Sequence, residues 1–166
     1  MSTVYTPNTI GLFLMQAGLS PHILDTDMFQ IVWGGDNYVV YTDQLPDIYL
    51  EKRVPLELFE YMQEDLIVCF AMDRINLRRN PVVAYRGAYE DSIFLRTSFR
   101  IEDDERENFK ETISKCIIDI ERSIDAFGQA CDVAVSASNK DDMSNLLSSL
   151  TDPEPDSPWI LNQKQS

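Results

Sequence analysis

The chain holds one histidine and three cysteines, on which any imidazole- or thiol-based catalytic or metal-binding device would have to be built. A Ser-His-Asp or Cys-His device would have to be built on His22, which follows Pro21 with no nucleophile motif beside it. A structural or surface histidine is therefore expected. Cys69, Cys116 and Cys131 are widely spaced with no C-x-x-C, which suits reduced, buried thiols better than zinc ligands or a disulfide framework. Asp25-Thr26-Asp27 starts like a calcium loop, but Phe29 and Gln30 stand where a fifth-position ligand and a sixth-position glycine are needed. Glu102-Asp103-Asp104-Glu105 with Glu107 could bind a hard cation, yet those residues precede a helix, where Asp103 or Asp104 would cap it and the rest complement its dipole. Gly34-Gly35 lacks the spacing of a phosphate-cradling loop and reads as a turn. Asp73, Arg74, Asn76 and Arg78 close a helix. They would either contact a small ligand or, as Asp73 and Asn76 suggest, fix the following turn by side-chain hydrogen bonds. No catalytic residue, metal ligand or cofactor site emerges, and a non-enzymatic protein is expected.

Charge narrows the partners. The 166 residues hold 14 Lys+Arg against 28 Asp+Glu, a net charge of −14. Nucleic acid and anionic membranes are bound through surplus basic residues, so neither is expected. Hydrophobic content of 44% is enough for a core. The start, Met1 to Pro7, has no basic residue and no long apolar run of a secretory signal, and a cytoplasmic location is expected.

The elements that would carry these residues can be read from periodicity. Thr6-Pro7 followed by Ile10, Phe13, Leu14 and Ala17 predicts a capped helix closed by Gly18. Phe29, Ile31 and Trp33 alternate before Gly34-Gly35-Asp36-Asn37, and Tyr38-Val39-Val40-Tyr41 follows, which predicts a hairpin. A third strand spans Ile48 to Val54, with Glu51-Lys52-Arg53 suggesting a partly solvated side. Pro55 then opens a second helix reaching about Leu77. Strands from Val82 to Arg86 and Ser92 to Ile101 come next, and a third helix carries one apolar stripe from Phe109 to Phe127, ending at Gly128. Beyond that the chain turns to Ser, Asn, Asp and Pro. The expected organisation is a single α+β domain over residues 1–133 and a flexible acidic Ser/Pro-rich tail over 134–166 with a possible short helix. Within that tail, Pro158-Trp159-Ile160-Leu161 looks like a docking peptide.

Short loops between consecutive strands force antiparallel neighbours. The predicted fold is thus α+β, a five-stranded antiparallel sheet with three helices in the order αβββαββα. Two short helices cannot cover both faces of such a sheet, which leaves the second helix and the aromatics Trp33, Tyr38, Tyr41, Tyr49, Tyr85 and Phe94 as the candidate protein-binding surface. A homodimer interface is expected on the second helix and the sheet face opposite the third.

The order of elements, the glycine-rich hairpin, and Met72-Asp73-Arg74-Ile75-Asn76 ahead of Val82-Val83-Ala84-Tyr85 and Asp91-Ser92-Ile93-Phe94-Leu95-Arg96 resemble the YbjN-like family. The resemblance covers about Thr6 to Phe127 and rests on the Ile75-Asn76 signature, with Asp73 where the family commonly has Asn. It implies a fold like that of type III secretion chaperones and a regulator of sensory transduction. Those chaperone relatives are acidic cytoplasmic homodimers that hold extended segments of another protein against apolar patches. Two functions are therefore expected in competition. One is a chaperone-like or regulatory adaptor binding an extended or apolar protein segment on its sheet. The other is a small-molecule-binding regulator or enzyme with a pocket between the sheet and the second helix.

Overall fold

In a computed structural model of the chain, residues 4–56, 65–77, 81–87, 92–101 and 108–138 are described. Among them are three helices, α1 (Pro7–Gln16), α2 (Asp65–Asn76) and α3 (Phe109–Ser138). The strands are β1 (His22–Asp25), β2 (Met28–Trp33), β3 (Asp36–Gln44), β4 (Asp47–Pro55), β5 (Val83–Arg86) and β6 (Ser92–Arg100). They form a six-stranded antiparallel sheet in the order β1-β2-β3-β4-β6-β5. The α+β class and the three helices match the sequence expectation, and the strand count does not: there are six, not five. The extra strand is β1, whose four residues are all exposed and so leave no alternation of apolar and polar residues to read.

Local chemistry explains most boundaries. Thr6 caps α1, its Oγ1 accepting the Thr9 N–H at 3.3 Å, and Pro7 takes the first helical position, where an N–H would have no partner. The β2–β3 hairpin closes over Gly34 and Gly35 at φ 59° and 85°, with Trp33 opposite Asp36. Both turn positions need positive φ, which only glycine adopts without strain. β4 reaches Pro55, proline being tolerated where a strand ends, and α2 is described from Asp65, residues 57–64 between them lying outside the described residues. One helix end differs from expectation. Gly128 does not end α3, because Ala130, Cys131 and Ala134 extend the buried stripe at helical spacing, and that burial outweighs the roughly 1 kcal/mol cost of an internal glycine. The acidic cluster at 102–107 and the tetrad at 158–161 lie outside the described residues, as does the remainder of the tail from 139 onward.

The chain divides into two compact units, Met1–Arg53 with Phe94–Glu121, and Val54–Ile93 with Arg122–Ser166. In the first, β2 and β3 pair in unbroken register, Phe29 opposite Val40 and Ile31 opposite Tyr38, and β3 and β4 pair with Val40 opposite Leu50, the register shifting only between Tyr41 and Gln44. These residues share one face and are all buried. Helix α1 lies on that face, since a Cβ built on Gly11 would stand 3.2 Å from the Phe29 ring. The first half of α3 lies there too: Phe109 meets Phe99 and Phe13 edge to face, at 5.9 and 5.6 Å between centroids. In the second unit, Ile67, Val68, Phe70, Ala71 and Ile75 of α2 are buried, as are Ala84 of β5 and Phe127 of α3.

Candidate functional site

Period-two alternation sends Tyr41, Tyr49 and Glu51 to the other face of the first unit's sheet. Arg96 of β6 joins them there and organises the group. Its Nε and Nη2 each lie 2.8 Å from Glu51 Oε2, and the Tyr41 hydroxyl donates to Glu51 Oε1 at 3.0 Å. The guanidinium stands 4.8 Å from the Tyr41 ring centroid and 5.3 Å from that of Tyr49, so it contacts both aromatic rings while its carboxylate partner is only 4% exposed. Burial, followed by the Glu51 carboxylate, pushes the Tyr41 phenol above its ordinary pKa, and Arg96 opposes that shift. A second pair, Arg100 Nε to Asp47 Oδ1 at 3.3 Å, is more exposed. Along the same face lie half-buried Met28, Gln30, Val39 and Phe94, and Val32 with 56% of its surface exposed. No helix among the described residues of this unit covers it; α1 and the first part of α3 are on the opposite face.

That opposite face has its own polar group. The Tyr38 hydroxyl donates to Glu121 Oε1 at 2.7 Å, and Lys52 reaches Asp36 at 3.0 Å and Glu121 at 3.8 Å while lying over the Tyr38 ring at 5.2 Å. Burial, then the Glu121 bond, raises the Tyr38 pKa strongly. Tyr38 itself is fully buried. This network ties α3 to the hairpin.

The six aromatics singled out from the sequence are therefore divided. Tyr41, Tyr49 and Phe94 share the helix-free face, Trp33 and Tyr38 lie on the face that carries the helices, and half-buried Tyr85 belongs to the second unit. Glu51, read as part of a solvated side, is buried, and Arg96 is its partner. Sequence reasoning passed over both, although a mid-strand glutamate alternating with Tyr49 and a mid-strand arginine alternating with Phe94 were a usable signal.

In the second unit, Asn76 places its side-chain amide against a strand. Nδ2 donates to the Ala84 carbonyl and the Ala84 N–H donates to Oδ1, both at 2.8 Å. Both backbone groups of a strand residue point to one side, so this amide occupies the edge of β5, the last strand of the sheet. Ile75 is buried and Asp73 exposed, and the Asp73 carbonyl accepts the Leu77 N–H at 2.8 Å. His22 is exposed on β1, and the Asp25 carboxylate accepts the Thr26 N–H at 2.7 Å in the turn after it. Arg78 is outside the described residues. Among the described residues no cluster of three metal-ligating side chains occurs, and no helix is long and apolar enough to cross a membrane.

No known family model and no curated protein matches the chain. Two solved structures share its fold. One is an uncharacterised protein from Methanothermobacter thermautotrophicus, at TM-score 0.50 and 10% identity, covering 77% of this chain and 97% of its own. The other is YbjN from E. coli, described as a candidate transcription regulator, at TM-score 0.50 and 10% identity, covering 83% and 97%. The likeness is one of fold, at a distant level.

Proposed function

We propose that the chain is a non-enzymatic protein-binding module, a chaperone-like or regulatory adaptor that holds an extended or apolar segment of another protein on its sheet and works as a homodimer in the cytoplasm. The observation that carries the reading is the helix-free face of the first unit. Its centre is a guanidinium fixed against two tyrosine rings by a buried carboxylate, and its margin is exposed Val32. Tyrosine and arginine held rigidly in this way give large contact area at small entropic cost, which is why both are enriched where proteins bind one another. The face is also less acidic than the chain, with Arg53, Arg96 and Arg100 against Asp25, Asp43, Asp47 and Glu51, so it repels an acidic partner less than the chain's average surface does. On this reading the fold is of the type III secretion chaperone kind, as the distant likeness to YbjN allows.

Panning a random peptide library against the whole protein tests this. Peptides rich in apolar residues should enrich on the native chain and lose at least about tenfold in affinity on Tyr49→Ala or Val32→Asp, provided circular dichroism shows both variants folded. Enrichment that ignores both substitutions would place binding elsewhere, and none at all would remove the reading.

A further inference from the structure

Of the two strands that end the sheet, β5 has its outward backbone groups at Ala84 taken by Asn76, whereas β1 is four exposed residues long, with Ile23 69% and Leu24 44% exposed. Beside it lies an apolar flank. Gly11 of α1 sits over Phe29, and Ile23 is directly opposite Phe29 in the β1–β2 pair, so Ile23 emerges on the α1 side of the sheet. The Phe13 side of α1 meets α3 at Phe109, and Met15, about 160° round the helix from Phe13, is on the flank facing the β1 edge. Met15 is 62% exposed and its neighbour Leu12 56%. An edge that no strand among the described residues pairs, beside exposed apolar side chains, is a site that another strand can extend.

We infer that the β1 edge pairs with the β1 edge of a second copy of this chain, antiparallel about a two-fold axis at Ile23. The sequence His22-Ile23-Leu24-Asp25 is complementary to itself in that arrangement. A two-fold axis through an antiparallel pair is perpendicular to the sheet, so residues that meet across it must be on the same face. In a regular strand His22 and Asp25, three apart, would be on opposite faces. Here β1 takes two steps from Ile23 to Asp25 while β2 takes one from Phe29 to Met28, leaving Leu24 as the extra residue. His22 follows the face of Gln30 and Asp25 that of Met28, which is the same face. Pairing Ile23 with its symmetry mate therefore sets His22 opposite Asp25 twice, on the face away from α1, where an imidazole N–H can donate to the carboxylate. On the α1 face it brings the Ile23, Met15 and Leu12 patches of the two copies together. A two-fold pairing also closes the edge, which stops growth at two copies.

This inference rests on the homodimer part of the proposed function and is independent of peptide binding at the helix-free face. Sedimentation equilibrium of the full chain should show a dimer. Ile23→Lys should weaken it about a hundredfold, with circular dichroism unchanged because the side chain is exposed. His22→Asp sets acid against acid and Asp25→Lys sets base against histidine, each weakening self-association by about tenfold, whereas the two variants mixed should form a heterodimer of near-native affinity. A monomeric native chain removes the homodimer altogether. A native dimer indifferent to Ile23→Lys, or variants that fail to recover on mixing, overturns this interface alone.

Discussion

Glu51 and Asn76 show how much a single polar side chain can decide once its hydrogen bonds are made to a strand or across strands. Glu51 accepts from Arg96 and from Tyr41, so Glu51→Ala leaves a half-buried guanidinium without that carboxylate. Because Arg96 keeps about a third of its side-chain exposure, the cost should be about 1–3 kcal/mol, below that of a fully buried pair, read from the urea midpoint. Asn76→Ala removes both bonds to the Ala84 backbone, uncovers the β5 edge, and should cost about 1–3 kcal/mol while raising the tendency to aggregate, which light scattering measures. The thiols make a pH prediction. Burial pushes Cys116 up to about 11 and Cys131 to about 12 from an ordinary 9.0, so the unfolded chain ionises first. Stability from these groups is whole below about pH 9 and declines as pH rises toward 11 and 12; Tyr41, also raised, adds loss above 10. The urea midpoint should hold from pH 7 to 8.5 and fall at pH 10.5, less steeply in Cys116→Ala. At pH 8 a thiol reagent should label exposed Cys69 at once and the other two only in denaturant.

At the scale of elements, α1 is set by contact more than by propensity. Gly11 lets the helix approach Phe29, and a methyl there would stand 3.2 Å from a ring that is 5% exposed. Helix propensity favours Gly11→Ala by about 1 kcal/mol, so the two effects nearly cancel, whereas Gly11→Val adds branching at the contact and should destabilise by about 1–3 kcal/mol. Thermal melts of the two variants separate these outcomes. The hairpin is as sensitive: Gly35→Ala forces a side chain to φ 85° and should cost about 1 kcal/mol. Both glycines act through backbone geometry, but only the hairpin pair announces itself, because paired glycine before alternating apolar residues is a turn signal, while a lone glycine in a helix is silent about what packs on it.

At the scale of the whole molecule, a net charge of −14 acts as self-repulsion. Screening shortens its reach from about 30 Å at 0.01 M salt to about 8 Å at 0.15 M, so the melting temperature should rise over that range, and a flat response would mean that local ion pairs dominate. Class and element order were legible because they depend on local rules: the Thr6-Pro7 cap, the Gly34-Gly35 turn, and the alternation of β2, β3 and β6 all act within a few residues. β1 was hidden, since a strand exposed at every position has no pattern, and its existence rests on pairing with β2. Gly128 misled because the buried stripe beyond it outweighed an ordinary breaker. Aromatic residues could be picked as candidate contacts from type alone, but which of them share a face depends on register, and register is a relation between strands. It separated Tyr41 and Tyr49 from Tyr38 and brought Arg96, forty-five positions on, to Glu51. Local composition and periodicity thus determined what the chain is made of and in what order; the pairing of distant strands, which buries one face and gathers Tyr41, Tyr49, Glu51 and Arg96 on the other, decided which of its residues stand together.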